Sequence, residues 1–246
     1  FRLECWTLGW DSIYALRYHS TERALFKRQG ALLLAEEFAL EYDRAWSSQE
    51  LGDIYRVMGD AAAARRWFDT ARPMFEQQAQ EMGIAFHRRG LGDLALARGE
   101  WTEAQDHYNA YLDWATGRDT WSHIYALCGA GRAELALGRR EAALGRVREA
   151  LQKAVGSSRL DTIPMPVAGL AHLAAAAGHA RLARLLAAAV VNSPLTWIET
   201  RAWARELAGA EVSAAGEANE LETVARHLAE LDDAGDWLAT AAALLG

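Results

Sequence analysis

The sequence predicts an all-α protein made of helical hairpins in series: an α-solenoid of about five hairpins followed by a C-terminal helical cap. Three observations carry this reading. The 246 residues include 51 alanines and only four prolines, and alanine, leucine, arginine and glutamate are the residues that cost least in a helix. A glycine returns at Gly59, Gly99, Gly138 and Gly178, a period of 39 or 40, each followed five positions later by Ala64, Ala104, Ala143 and Ala183. Apolar residues fall at helical spacing before and after each of these glycines, as expected of two amphipathic helices joined by a tight turn.

The copies can be taken in chain order. Counting back one period from Ala64 and Ala71 gives Ala24 and Ala31, so a first copy precedes residue 41 without the glycines. The second copy holds Leu51-Gly52-Asp53-Ile54-Tyr55 and Gly59-Asp60, and the third repeats it as Leu91-Gly92-Asp93-Leu94-Ala95 and Gly99-Glu100. A looser fourth copy has Ala130-Gly131-Arg132-Ala133-Glu134 and Gly138-Arg139; a fifth has Leu170-Ala171-His172 and Gly178-His179. The glycine at the end of each first helix accepts the left-handed backbone of a helix terminus. Gly52, Gly92 and Gly131 are expected to be packing sites where two antiparallel helices approach closely. Residues 1–192 therefore form the superhelix and 193–246 the cap, which is needed because an open solenoid end exposes core. Within the cap, Ser193 reads as an N-cap with Pro194 in the first turn, and a second helix runs from Asn219 to Leu228.

This pattern resembles the tetratricopeptide repeat (TPR). Leu51, Gly52, Tyr55, Gly59, Ala64, Phe68 and Ala71 occupy seven signature positions of that motif in order, and Leu91, Gly92, Ala95, Gly99, Ala104 and Tyr108 match in the next copy. The resemblance implies a right-handed α-solenoid. The period departs from the common 34-residue form, and the longer repeats are similar to those in the sensor regions of bacterial STAND-class regulators. So is the cap segment Asn192-Ser193-Pro194-Leu195-Thr196-Trp197-Ile198-Glu199-Thr200. That second resemblance implies a neighbouring ATPase domain in a longer parent chain and a role in signal transduction and transcription regulation.

Composition excludes several classes. Lys27 and Lys153 are the only lysines, and neither follows glycine and precedes Ser/Thr, so this chain carries no phosphate-binding P-loop of its own. A net charge of −7 disfavours nucleic acid as a direct partner. The most apolar stretch, Val167 to Val191, is interrupted by His172, His179, Arg181 and Arg184 and is too polar to span a bilayer. No signal peptide is read, and Cys5 and Cys128 lie far apart, so a reduced, cytoplasmic protein is expected. No His-Glu-x-x-His, Cys-x-x-Cys or Gly-x-Ser-x-Gly occurs, so no metal, cofactor or catalytic residues are assigned and a non-enzymatic protein is expected.

Function is then expected on the face lined by the first helix of each hairpin. By motif position, its residues are Trp46, Gln49, Asp53 and Arg56 in the second copy and Phe86, Arg89 and Asp93 in the third. Tyr125, Cys128 and Arg132 follow in the fourth, and Met165 and His172 in the fifth. Aromatic area mixed with both charge signs suits a protein, a peptide or a small-molecule effector. Packing between hairpins is the alternative role for Trp46 and Phe86, and a solvated ion-pair network for the charged residues. The arginines 56, 89 and 132 are expected to form a row along one concave face. The function expected is a binding or sensor module of a larger STAND-type protein; the alternative is a free-standing scaffold for protein–protein assembly.

Overall fold

A computed structural model describes residues 1–118, 121–157, 159–208 and 218–230. Among these residues the secondary structure is helical, with no strand. The helices are α1 (Arg2–Tyr18), α2 (Thr21–Glu37), α3 (Glu41–Val57), α4 (Ala61–Gln77), α5 (Glu81–Ala97) and α6 (Trp101–Ala115), then α7 (Trp121–Ala136), α8 (Arg140–Gly156), α9 (Pro164–Ala176), α10 (Ala180–Asn192), α11 (Ile198–Ala208) and α12 (Ala218–Ala229). A short 3-10 turn, Leu160–Thr162, precedes α9. The expected α-solenoid is observed: consecutive helices pack in pairs as α1/α2, α3/α4, α5/α6, α7/α8 and α9/α10, which makes the five hairpins.

The chain divides into two compact units, Phe1–Thr116 and Gly117–Gly246. The first contains three hairpins. Among its described residues the second contains two, with α11 packed on α9 and α10 and α12 packed on α8 and α10. One expectation within this region fails: α11 begins at Ile198, not at Pro194. Ser193 instead closes α10 in extended backbone. Its hydroxyl accepts from the Leu195 amide at 3.3 Å, while the Thr196 hydroxyl donates to the Val190 carbonyl at 2.6 Å, so the segment is a turn held by side chains.

The turns explain the glycine period. At the end of α3, Gly59 has φ +84°. Its amide donates to the Arg56 carbonyl and the Asp60 amide to the Tyr55 carbonyl, both at 2.9 Å. That pair of bonds satisfies two otherwise unpaired carbonyls of the helix end, and it needs a left-handed residue at the glycine. Asp60 then caps α4, its carboxylate accepting from the Ala63 amide at 2.8 Å. One three-residue connection ends a helix, reverses the chain and starts the next helix. The same bonds close α4 around Ala79, which has φ +51°. Sequence did not mark this turn, because alanine is not the residue expected there.

Packing within the first unit repeats with the same 40-residue step. Cys5, Ala31 and Ala35 form one buried cluster and Ala45, Ala71 and Phe75 the next. Between hairpins, Ala15, Ala24 and Ile54 are matched by Tyr55, Ala64, Phe68 and Leu94. Glycine sets the closeness of these contacts. A Cβ at Gly52 would lie 2.3 Å from the Phe68 ring, and one at Gly83 would lie 2.2 Å from the Phe75 ring. At Gly92 the nearest atom would be Tyr108 at 3.2 Å, and at Gly131 Val147 at 3.3 Å. The three expected packing sites are all close contacts, with Gly52 by far the tightest.

Ala79 supplies a test of the turn geometry. A left-handed alanine costs about 1–2 kcal/mol, and glycine returns part of that gain through the entropy of the unfolded chain. Ala79→Gly is therefore expected to stabilise by roughly 0.5–1 kcal/mol, raising the thermal midpoint by about 1–4 °C. A lower midpoint would show that this turn is not left-handed.

Candidate functional site

The first-helix face of the first unit is built by α3 and α5, which pack against each other. Trp46 on α3 is half-buried and meets two rings edge-on, Phe75 at 5.2 Å and Phe86 at 5.4 Å between centroids. Its indole N–H is buried without a hydrogen-bond acceptor. Phe86 on α5 continues the row to Tyr111 at 5.9 Å. Trp46 and Phe86 therefore pack between hairpins, while part of each remains open. Tyr42, 6.3 Å from Trp46, and Met82, one turn before Phe86, are both exposed. Sequence reasoning missed this pair. The signal was available, since the two residues are one 40-residue step apart at the starts of α3 and α5.

Toward the middle of the same helices the character changes to a buried polar cluster. Arg89 is buried and its guanidinium bridges two carboxylates, Asp53 Oδ2 at 3.2 Å and Asp93 Oδ2 at 3.3 Å. It also lies 5.5 Å from the Phe86 ring centroid. The Tyr108 hydroxyl donates to Asp93 Oδ1 at 2.5 Å. Burial pushes the Asp93 carboxyl up to about 6, against the opposing pull of Arg89, Arg56 and the Tyr108 hydrogen bond. Gln49 is also buried, donating from Nε2 to the Phe86 carbonyl at 3.5 Å. Asp53 and Arg56 stay half-buried. The ion-pair network named as the alternative role for these charges is present, but its Arg89–Asp93 part is enclosed by protein instead of being solvated. Reversal of Arg89 is consequently a change in the core: it would put a third carboxylate beside two others.

His87, on the opposite side of α5, points into the core and meets the Phe68 ring edge-on at 6.1 Å. Desolvation lowers its pKa to about 4, assisted chiefly by Arg72. It is held neutral by burial, in a structural setting.

In the second unit the predicted residues meet α11 and the segment before it. Tyr125 stacks with Trp197 at 6.0 Å, and its hydroxyl donates to Glu199 Oε2 at 3.4 Å. The Arg132 guanidinium lies 4.3 Å from the Trp203 ring centroid. His172 stacks on Trp203 at 4.5 Å, with Nε2 3.0 Å from the Trp203 carbonyl. Burial lowers the His172 pKa despite that contact. Met165 lines a narrow cleft with Tyr125 and Trp197. Sequence reasoning missed Trp197 and Trp203 as partners for these residues, because nothing local to either segment indicates their pairing. Cys128 is fully enclosed and its thiol pKa is raised by burial, so it is a packing residue and does not line the face. Cys5 is likewise buried and free, its thiol donating to the Ala31 carbonyl at 3.2 Å.

No cluster of three His, Cys, Asp or Glu side chains able to hold a metal ion occurs among the described residues. No helix among them is long and apolar enough to cross a membrane.

Two stability predictions follow from burial. Arg89→Ala strands two carboxylates and is expected to cost about 3 kcal/mol in chemical denaturation. His87 has a folded pKa below its unfolded value near 6.5, so its contribution is present above pH 6.5 and is lost as pH falls toward 4, by roughly 3 kcal/mol at most. Asp93 is shifted the opposite way and offsets part of that loss below pH 6. In His87→Phe the thermal midpoint should therefore fall less between pH 6.5 and 4 than in the unsubstituted protein; equal slopes would remove His87 from the acid response.

Comparison with known proteins bears on the same helices. No curated protein matches the chain. Residues 41–116, which contain α3 to α6 and hence the Trp46–Phe86 row and the Arg89 cluster, match the tetratricopeptide repeat family, a repeat that generally mediates protein–protein binding.

Proposed function

We propose that this chain is a non-enzymatic binding module that receives a protein or peptide on its first-helix faces. We further propose that it serves as the sensor region of a larger STAND-type regulator. The observation that carries the reading is the composition of the face on α3 and α5. Exposed Tyr42 and Met82 lead into the half-open Trp46 and Phe86, and Asp53 and Arg56 stand about two and three turns beyond Trp46. Aromatic area beside paired charge is the arrangement that peptide recognition uses: the rings supply buried area, and the charges fix register and direction. The buried Arg89–Asp93 cluster beneath holds Asp53 in place, so that part of the face is preorganised before a ligand arrives.

In the second unit, Tyr125, Arg132 and His172 support Trp197 and Trp203. Their role in the proposal is to position that aromatic pair. A trigger bound to such a module moves a neighbouring ATPase only through unequal affinity for that domain's two states. The STAND assignment rests on the long repeat and the cap segment, and the parent reading frame tests it: an upstream Gly-Lys-Ser/Thr loop supports it, and a frame without one leaves a scaffold.

The binding reading has its own test. Peptides selected from a random display library against the chain are titrated against Tyr42→Ala and Arg56→Ala. Each substitution is expected to weaken binding about tenfold or more, as for interface anchors, and Tyr42→Ala should leave the thermal midpoint nearly unchanged because Tyr42 is exposed. Selected peptides that bind both variants with full affinity would place recognition elsewhere.

A further inference from the structure

The second unit contains a cleft that the peptide-binding reading leaves unused. Its volume is about 380 Å³, the size of a small-molecule site. Three elements meet around it: the segment before α7, the first turn of α7 and the last turn of α8. Each supplies one basic side chain, in order Arg118, His123 and Lys153. His123 is buried, while Arg118 and Lys153 are exposed. A chain with two lysines and a net charge of −7 therefore gathers three basic groups in one concavity. Ile124 adds an apolar side chain, and Gly156 lies at the mouth with open space before it, since a Cβ there would meet nothing within 4 Å.

The electrostatics of the cleft follow from its neighbours. Glu149 is exposed, and its Oε1 lies 3.8 Å from His123 Nε2 and 3.9 Å from Lys153 Nζ. Charge-assisted hydrogen bonds are shorter, about 2.7–2.9 Å, so this carboxylate orients both groups without closing on either. The first turn of α7 carries no acidic residue, and the positive end of that helix adds to the field. At the end of α8 the acceptors are occupied. The Ser157 amide donates to the Lys153 carbonyl at 2.9 Å, and the Ser157 hydroxyl donates to the Ala154 carbonyl at 3.0 Å.

We propose that this cleft binds a small phosphate ester, with the phosphate among Arg118, His123 and Lys153 and the organic group against Ile124. The guanidinium fork offers two-point contact to phosphate oxygens, and the lysine contributes a mobile point charge. A phosphate dianion answers three basic groups better than a single carboxylate does, which is why it competes with Glu149 for them. Inorganic phosphate would leave most of the cleft empty, whereas an ester fills it. The site lies wholly in the second unit and does not depend on the peptide face of α3 and α5, so either can fail without the other.

Isothermal titration calorimetry of the full chain at fixed ionic strength tests this with glycerophosphate and adenosine monophosphate, and with glycerol, adenosine and inorganic phosphate as controls. At least one ester is expected to bind at submillimolar concentration, its unphosphorylated counterpart not at all, and inorganic phosphate about tenfold or more weakly. Lys153→Glu is expected to weaken the ester by on the order of thirtyfold or more. Glu149→Gln should tighten it about threefold by removing the competing carboxylate. Far-UV circular dichroism should be unchanged in both variants, because both side chains are exposed. Failure of both esters to bind at millimolar concentration overturns the proposal. So does full affinity in Lys153→Glu, and so does inorganic phosphate binding as tightly as the better ester, which would leave an adventitious ion only.

Discussion

The first unit depends on how closely a first helix can approach the aromatic ring of a second helix. Phe68 lies against Gly52 of its own hairpin and Gly90 of the next, and Phe75 lies against Gly83. One ring thus fixes two distances at once, within a hairpin and between hairpins. A methyl group at Gly52 or Gly83 would overlap a ring that is itself fully buried, and well-packed interiors have no slack to absorb that. The 40-residue step in the sequence is the repetition of this contact, with Ala24, Ala64 and Ala104 keeping the facing helix small.

That constraint also determines where binding chemistry can sit. Close first-helix packing leaves little room between α3 and α5, and Arg89 and Asp93 in the middle of the helices become buried. Buried charges persist only when paired, and here one guanidinium serves two carboxylates while Tyr108 serves the second of them. The helix starts are more open, and there Tyr42 and Met82 remain exposed. A polar, rigid centre beside an apolar, accessible rim follows from helix packing before any ligand is considered.

The parts of this arrangement legible in the sequence are those written into single segments. Gly59 and Gly99 announce their turns because a left-handed residue is nearly always glycine, and Gly52 announces a close approach because it interrupts an apolar helix. Ala39 and Ala79 hide the same turn behind an ordinary helix former. Gly83 and Gly90 were missed because their partners, Phe75 and Phe68, lie on a different hairpin. Arg89 was read as a surface charge for the same reason: its burial depends on Asp53 a full repeat away. In the second unit, the pairing of Arg132 and His172 with Trp203 depends on how α11 returns to α9, and the start of α11 was misplaced by four residues because Pro194 resembled a first-turn proline.

A double-mutant cycle on Gly52 and Phe68 tests the central claim most directly. Gly52→Ala alone gains helix propensity but meets the ring, whereas the same change in a Phe68→Leu background meets a shorter side chain. The account predicts that Phe68→Leu relieves the cost of Gly52→Ala, with a coupling of about 1 kcal/mol or more between the two sites in chemical denaturation. Additive effects would contradict it, because they would mean that the glycine and the ring do not share one contact.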